Sequence, residues 1–133
     1  MDVNKIVCFG EILWDIFLTE KKLGGAPYNV ANSLKSLGAD VDLITRIGDD
    51  ELGKEILNKL KLNNFKSHLI QIDKNHETGN VKVNLDNDGV AQYEISQKVA
   101  WDFIEILNRD IEIVRQSKSL IFGSLAARGS SFI

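Results

Sequence analysis

The sequence predicts an α/β fold in which helices cover a parallel β-sheet. Short apolar runs with the length of buried strands alternate along the chain with segments whose apolar residues recur at helical spacing. This alternation is typical of a parallel sheet covered by helices. Two segments, about 11–18 and 78–95, break the alternation, and they could pair with each other as a separate small antiparallel sheet.

Two strands and a loop are predicted at the start of the chain. Residues 6–9 are a short apolar run closed by a glycine, which indicates a buried strand. Residues 11–18 alternate between an apolar face and a face that carries Asp15, which predicts a second strand. Residues 21–25, with the sequence Lys-Lys-Leu-Gly-Gly, predict a loop.

Two helices with a strand between them are predicted next. Pro27 suits a helix start, because its missing N–H would be unpaired there, and Gly38 suits the end of that helix. Residues 41–47 predict a strand. An acidic residue such as Asp50 caps free N–H groups and favours the positive end of a helix, so we expect a second helix over 52–60.

The remaining predicted elements include a hairpin with a well-defined turn. They are a strand at 69–72, a hairpin at 78–85 and 90–95, a helix at 101–114 in two pieces that meet near 108–110, and a strand at 119–122. The hairpin is expected because the turn residues Asp-Asn-Asp-Gly separate its two strands, and the glycine supplies the positive φ that such a turn needs.

The composition is that of one soluble globular domain. The chain has 133 residues, of which 44% are hydrophobic and 26% charged. Its net charge is −3 and no basic cluster stands out, so neither nucleic acid nor a membrane is an expected partner. No secretory signal or membrane span is expected, and a cytoplasmic location follows as the default. The single cysteine, Cys8, lies in an apolar run and is predicted to be buried.

Asp15 is the first candidate for a functional site. It lies within an otherwise apolar strand, and burying a carboxylate without a partner is costly, so it must face solvent, a partner or a ligand. One interpretation is a hydrogen-bond acceptor for a polyol. The other is an exposed aspartate on an amphipathic strand, and the local pattern does not separate the two.

The segment Gly-Gly-Ala-Pro-Tyr-Asn at 24–29 is the second candidate. Gly24 and Gly25 would let a ligand approach the backbone closely just before a helix N-terminus. Asn29 would lie on the first helical turn and offer both a donor and an acceptor, which suits a neutral polar ligand. On general grounds, an ordinary glycine-rich loop before a proline-started helix is the better explanation of the segment. A dinucleotide site is not indicated, because no G-x-G-x-x-G motif occurs.

Three other features carry weaker signals. The run of acids within 48–53 is better explained by a helix-capping turn than by a calcium site. His68 and His76 lack a second ligand at metal-binding spacing, so no metal site is expected. Arg128 follows a predicted strand end, where α/β folds place ligand contacts, and it is a candidate substrate contact or a solvated surface residue.

The glycine segment resembles a family signature. Residues 24–38, GGAPYNVANSLKSLG, are similar to the first signature of the PfkB carbohydrate kinases. The resemblance continues through Gly10-Glu11 and Asp15, through Ile47-Gly48-Asp49-Asp50 and Leu52-Gly53, and through Thr78-Gly79 with its hairpin. The residues at 24–27 and 122–126 look more like fructokinases than ribokinases or adenosine kinases.

This resemblance implies a ribokinase-like three-layer α/β/α domain with a small β lid, formed by an early strand and a later hairpin. Such kinases phosphorylate a sugar hydroxyl with ATP and magnesium. In the family, the positions of Asp15, Gly25 and Asn29 hold sugar hydroxyls, and that of Gly24 shapes the same loop. The resemblance leaves open whether the lid mediates a homodimer.

The sequence departs from the family in its length. Family members are more than twice as long, and their second signature, nucleotide pocket and magnesium-linked motif lie beyond the part matched here. This sequence ends at Ile133 and contains no Gly-Ala-Gly-Asp run. We therefore expect no catalytic or cofactor-binding residue in this chain, and we expect the chain to be inactive alone.

Two interpretations of function remain. In the first, the chain is the N-terminal part of a fructokinase-like enzyme and supplies its sugar-binding part. In the second, it is a non-catalytic sugar-binding or regulatory half-domain.

Overall fold

A computed structural model describes residues 4–129, so the chain end at Ile133 lies outside the described residues. Within 4–129, strands and α-helices follow one another in the order β1 (Ile6–Phe9), β2 (Leu13–Ile16), β3 (Lys21–Gly24), α1 (Ala26–Ser36), β4 (Val41–Gly48), α2 (Glu51–Leu62), β5 (Ile70–Asp73), β6 (Asn80–Leu85), β7 (Ala91–Ile95), α3 (Asn108–Arg115) and β8 (Ser119–Phe122). Short 3₁₀ turns occupy Ser67–Leu69, Ala100–Phe103 and Leu125–Ala127.

The larger sheet has the strand order β5-β4-β1-β8, and every pair in it is parallel. Its two faces are buried in different clusters. On one face, Cys8 and Leu43 pack with residues of α1 and α2. On the other face, Val7 and Ile44 pack with Trp101 and with residues of α3. The predicted parallel sheet covered by helices is confirmed, as is the buried position of Cys8.

The smaller sheet, which we call the lid, has the strand order β3-β2-β6-β7. The two segments that broke the alternation therefore do pair, but the prediction of an antiparallel sheet was wrong. β2 and β6 run parallel, with Trp14 opposite Asn80, because the chain passes through the larger sheet between them. The two outer pairs are antiparallel, so the lid sheet is mixed.

The prediction of a loop at 21–25 was also wrong, because residues Lys21–Gly24 form strand β3. The Phe17 N–H donates to the Glu20 carbonyl at 2.8 Å, which closes a tight turn and lays β3 antiparallel against β2. The lysines of β3 are exposed, as expected on an outer strand. The early strand is shorter than predicted, since β2 covers only Leu13–Ile16.

The segment predicted as a two-piece helix at 101–114 instead contains a short 3₁₀ turn followed by a single α-helix. Its first part is the 3₁₀ turn Ala100–Phe103, and the residues around 108–110 begin α3 instead of joining two helical pieces. Two hydrogen bonds hold the intervening chain away from a helical path. Gln71 accepts from the Glu105 N–H at 2.8 Å and donates to the Glu105 carbonyl at 2.9 Å.

None of the helices within the described range has the length and apolar character that crossing a membrane would require.

Candidate functional site

The candidate site lies at the carboxyl end of the larger sheet, where α/β folds place ligand sites. Gly10 follows β1 and Gly123 follows β8, and both lie beside Pro27 in the first turn of α1. A Cβ atom at Gly10 would lie 2.6 Å from Pro27 Cγ, and one at Gly123 would lie 3.9 Å from it. The start of α1 therefore rests directly on the ends of two neighbouring strands, β1 and β8, which fixes its position.

Asp15 lies against the turn that leads into α1. A Cβ atom at Gly24 would lie 2.5 Å from Asp15 Oδ2, so any other side chain at position 24 would displace the carboxylate. Asp15 is half-buried, and burial raises its pKa above the ordinary value. Among residues 4–129 its side chain has no hydrogen-bond or ion-pair partner. This carboxylate is therefore able to accept hydrogen bonds from a ligand.

Gly25 is the N-cap of α1 and has φ +105°, a conformation that favours glycine. A Cβ atom there would also lie 2.5 Å from the Glu11 carbonyl oxygen. The Asn29 N–H donates to the Gly25 carbonyl at 2.8 Å, and Asn29 itself is exposed on the first turn of the helix. The predicted helix start at Pro27 is confirmed, since α1 begins at Ala26.

The structure thus arranges four of the predicted residues around one two-glycine turn. Asp15 contacts Gly24 from the lid, and Asn29 is hydrogen-bonded to Gly25 from the helix. Their sugar-binding role, and their convergence on a single cleft, stay predictions.

The Arg128 side chain is held by several contacts within the described part of the chain. Its Nε and Nη2 donate to the Asp102 carboxylate, each at 2.7 Å, and Nη2 also donates to the Ser96 carbonyl at 2.7 Å. The guanidinium carbon lies 4.1 Å from the centre of the Trp101 ring. The interpretation as a solvated surface residue was wrong, because these contacts join the end of the lid, at Ser96, to the 3₁₀ turn that contains Asp102. A contact between Arg128 and substrate stays a prediction.

Glu11 is a site residue to which the sequence assigned no role beyond its match to the family. It follows β1 directly and is only 3% exposed. Burial raises its pKa, although hydrogen bonds from its own N–H and from the Ala26 N–H oppose the shift. Its Oε2 atom is buried without a hydrogen-bond partner among the described residues. Since Glu11 and Gly25 lie far apart in sequence, no local pattern could have shown that Gly25 packs on the Glu11 carbonyl.

The acidic motif at 48–53 is a helix cap, as predicted, and it also anchors the lid. Asp50 is the N-cap of α2 and accepts from the Gly53 N–H at 2.8 Å. Its carboxylate also accepts from the Thr78 N–H at 2.9 Å and the Thr78 hydroxyl at 2.6 Å. Burial raises the pKa of Asp50, but these hydrogen bonds outweigh it and hold the pKa below its ordinary value. Thr78 lies just before the lid strand β6, so this network fixes where the chain enters the lid.

Comparisons with known proteins agree with this architecture. A helix-covered parallel sheet, with a small second sheet facing a glycine turn at its carboxyl end, defines an α/β domain of the ribokinase-like class. The pfkB family of carbohydrate kinases matches residues 3–127. The chain belongs to this family, and the resemblance and the fold class expected from the sequence are both confirmed.

Individual relatives point to sugar kinases. Fructokinase-2 of Zea mays is 31% identical over 136 residues, covering 92% of this chain and 41% of the maize protein. An uncharacterized sugar kinase from Pyrococcus horikoshii, solved in complex with ATP, is 30% identical with a TM-score of 0.80 and is matched over 95% of this chain and 45% of its own. The fructokinase of Halothermothrix orenii is 27% identical with a TM-score of 0.75, covering 89% of this chain and 45% of that enzyme. The chain therefore spans less than half the length of these relatives.

Proposed function

We propose that this chain supplies the sugar-binding part of an ATP-dependent sugar kinase of the fructokinase type. The observation that carries the proposal is the Asp15 carboxylate, which lies half-buried and without a hydrogen-bond partner among residues 4–129, against the Gly24–Gly25 turn. A carboxylate in this state can accept charge-assisted hydrogen bonds from hydroxyl groups, which a sugar presents in number.

Each residue at the turn has its own role in the proposed binding of sugar. Asp15 accepts a hydrogen bond from a sugar hydroxyl, and the Asn29 amide can donate to one hydroxyl and accept from another. The glycines let the sugar approach the backbone without a clash. A neutral polyol suits this set better than an anion, because the one charged member of the set, Asp15, is an acid.

We assign no nucleotide or magnesium site to the described residues. Within 4–129, no group of three or more His, Cys, Asp or Glu side chains is placed to hold a metal ion. Phosphoryl transfer needs a base, anion-stabilising donors and a positioned nucleotide with its metal. We propose that ATP and magnesium act in the complete kinase through residues outside this chain.

An uncovered apolar surface supports the proposal that a C-terminal nucleotide-binding part packs here. The outer strand β8 exposes Leu120 at 41% and Phe122 at 69%. Beside it lies an apolar groove of about 400 Å³, to which Phe9, Ile106 and Val114 also contribute. A parallel sheet is normally covered on both faces and continued at such an edge. The extra length of the relatives would provide that cover.

A non-catalytic sugar-binding or regulatory half-domain is the second candidate function. It is favoured by one observation: the residues around the glycine turn all lie within this chain, although the chain spans only 41% of the maize fructokinase. A homodimer through the lid is a further proposal for either function. It is supported by the exposed apolar residues Leu85 and Tyr93 on the lid hairpin.

One pair of experiments separates the two functions. Calorimetry with fructose tests binding, and a coupled assay of ADP release with fructose and ATP tests turnover. We expect binding without turnover, and light scattering should show oligomers at micromolar concentration because the β8 edge is uncovered. Sugar-dependent turnover by the 133-residue chain would contradict the absence of a catalytic site. If no fructose, glucose or ribose binds, the sugar-binding proposal for the isolated chain fails.

A further inference from the structure

The guanidinium group of Arg128 bridges the end of the lid hairpin and the 3₁₀ turn that follows it. Nε and Nη2 donate to the two oxygens of the Asp102 carboxylate, and Nη2 also donates to the Ser96 carbonyl, each at 2.7 Å. The Arg128 and Asp102 side chains are only 22% and 10% exposed. A planar guanidinium that serves two acceptors at once holds them in a fixed relative position.

The ring of Trp101 brings the start of the hairpin to the same place. Trp101 is fully buried, and the guanidinium carbon of Arg128 lies 4.1 Å from the centre of its ring, within the range of a cation–π contact. Gly79, which precedes strand β6, lies so close to the same ring that a side chain there would overlap it. The chain therefore enters the lid hairpin at Gly79 and leaves it at Ser96 beside one pair of side chains, Trp101 and Arg128.

Hydrogen bonds connect Ser96 to the strand that carries Asp15. The Ser96 N–H donates to the Asn80 carbonyl at 3.2 Å, and the Ser96 hydroxyl donates to Asn80 Oδ1 at 2.7 Å. Asn80 is the first residue of β6 and lies opposite Trp14 in the parallel pairing of β6 with β2. Asp15 is the next residue of β2. Its position therefore depends on where Arg128 holds Ser96.

We propose that Arg128 is a positioning residue of the sugar site. It holds the base of the lid hairpin through Ser96 and Asn80, and so sets the position of the Asp15 carboxylate against the glycine turn. The consequence for sugar rests on the function proposed above. The anchoring of the hairpin does not, so the two can be tested separately.

Hydrogen exchange on the complete 133-residue chain, followed by mass spectrometry of peptides that cover residues 80–95, tests the anchoring. Arg128→Met keeps an apolar stem on Trp101 but removes the donors, so exchange in the hairpin should become roughly tenfold faster, as expected for a lost charge-assisted hydrogen bond. Arg115→Met is the matched control, because it breaks only an exposed ion pair with Glu112 and should stay within about twofold of the wild type. Peptides from α2 are the internal reference and should not change.

Two results would overturn the anchoring: unchanged exchange at 80–95 in Arg128→Met, or an equal acceleration in α2, which would indicate a general loss of stability. If Arg128→Met does not fold, Arg128→Lys replaces it. Lysine keeps the charge but cannot hold a carboxylate and a carbonyl together in one plane. Exchange in the hairpin should then rise at least about threefold, and its absence counts against the proposal.

Fructose calorimetry in a double-mutant cycle tests the link to the sugar site. Arg128→Met should weaken affinity roughly tenfold, and Ser96→Ala, which removes the hydroxyl bond to Asn80, about threefold. Because both changes break the same path, the double variant should bind within about twofold of Arg128→Met alone.

Fully additive losses would contradict this role, because they indicate independent effects, such as a direct contact between Arg128 and sugar. Wild-type affinity in Arg128→Met would also contradict it, even if the exchange result holds. If the wild-type chain binds no fructose, the proposed function of the isolated chain fails, while the exchange experiment still decides whether Arg128 anchors the hairpin.

Discussion

The helices α1 and α2 both begin at the carboxyl end of the larger sheet, but their first turns are built in different ways. The start of α2 is closed by its own residue Asp50, which binds the Gly53 N–H and both donor groups of Thr78. The start of α1 has a glycine at the N-cap and no side-chain cap from that residue, while the nearby Asp15 carboxylate has no partner in the described part of the chain.

This difference separates a structural joint from a binding surface. Hydrogen bonds hold the pKa of Asp50 down because its donors are all supplied by the protein. Burial raises the pKa of Asp15 because donors are not supplied there. A carboxylate of the first kind should matter for stability, and one of the second kind should matter for binding.

The largest effect is expected from Asp50→Ala. This change removes the cap of α2 and leaves the N–H and hydroxyl of Thr78 without their acceptor, which should lower the free energy of unfolding by roughly 2–3 kcal/mol. Urea denaturation measures the effect. Asp49→Ala is the matched control, because Asp49 is exposed and should change stability by less than about 0.5 kcal/mol. Equal effects at the two positions would show that the network is not a structural joint.

Asp15→Ala should weaken the binding of sugar and change stability little, which is the reverse of the effect expected from Asp50→Ala. Loss of a hydrogen bond to a charged group costs about 1.5–3 kcal/mol, which corresponds to a roughly ten- to hundredfold weaker affinity for fructose. Stability should fall little or rise, because a partly buried carboxylate without a partner is removed. Calorimetry and urea denaturation of the same sample give both values, with the exposed lid residue Asp88 changed to Ala as the control. Destabilisation without loss of affinity would assign Asp15 to the structural class.

Asn29→Ala should have a smaller effect of the same kind. The side chain is exposed, so stability should stay within about 0.5 kcal/mol of the wild type. Its neutral hydrogen bonds to sugar should be worth about 1 kcal/mol, or roughly fivefold in affinity. Asn32→Ala, one turn further along α1, is the control and should not change affinity. Equal losses at Asn29 and Asn32 would place the sugar elsewhere on the helix.

The pH dependence of stability should distinguish the two aspartates by its sign. The pKa of Asp50 is below its ordinary value of 3.8 in the folded chain, so its contribution is present above pH 3.8 and is lost as the pH falls through the lowered value. The pKa of Asp15 is raised, so the folded chain loses stability as the pH rises from 3.8 through the raised value.

Replacing each aspartate by Asn removes its contribution to the pH dependence of stability. In urea titrations between pH 3 and pH 6, Asp50→Asn should flatten the loss of stability at the acid end. Asp15→Asn should remove a small loss as the pH rises. Slopes that change in the same direction in both variants would contradict the assigned environments.

The sequence predicted the features that depend on residues close together in the chain. Asp50 lies three residues from the N–H that it caps, so the cap of α2 was predictable. The hairpin turn at 86–89 and the helix start at Pro27 were predictable for the same reason. The link from Asp50 to Thr78 and the close approach of Gly25 to the Glu11 carbonyl were not, because each joins segments that only the fold brings together.

The lid shows where local patterns are insufficient. Its two segments were identified because they broke the helix–strand alternation, but the relative direction of β2 and β6 depends on the path of the chain between them. The sequence of β3, Lys-Lys-Leu-Gly, predicts a loop because it has little strand character. Its strand conformation is imposed by the turn at 17–20 and by pairing with β2.

The parallel pairing of β2 with β6 has a consequence for the order of folding. Trp14 pairs with Asn80, so the centre of the lid closes only after the chain has passed through α1, β4, α2 and β5. Contacts between residues so distant in sequence form slowly, because the entropy of loop closure is lost before the pairing is gained. The pairing of β8 with β1 in the larger sheet is more distant still, since Ile6 lies opposite Ser119. We therefore expect β8 to join the larger sheet only after the centre of the lid has closed when the chain folds from its N-terminus.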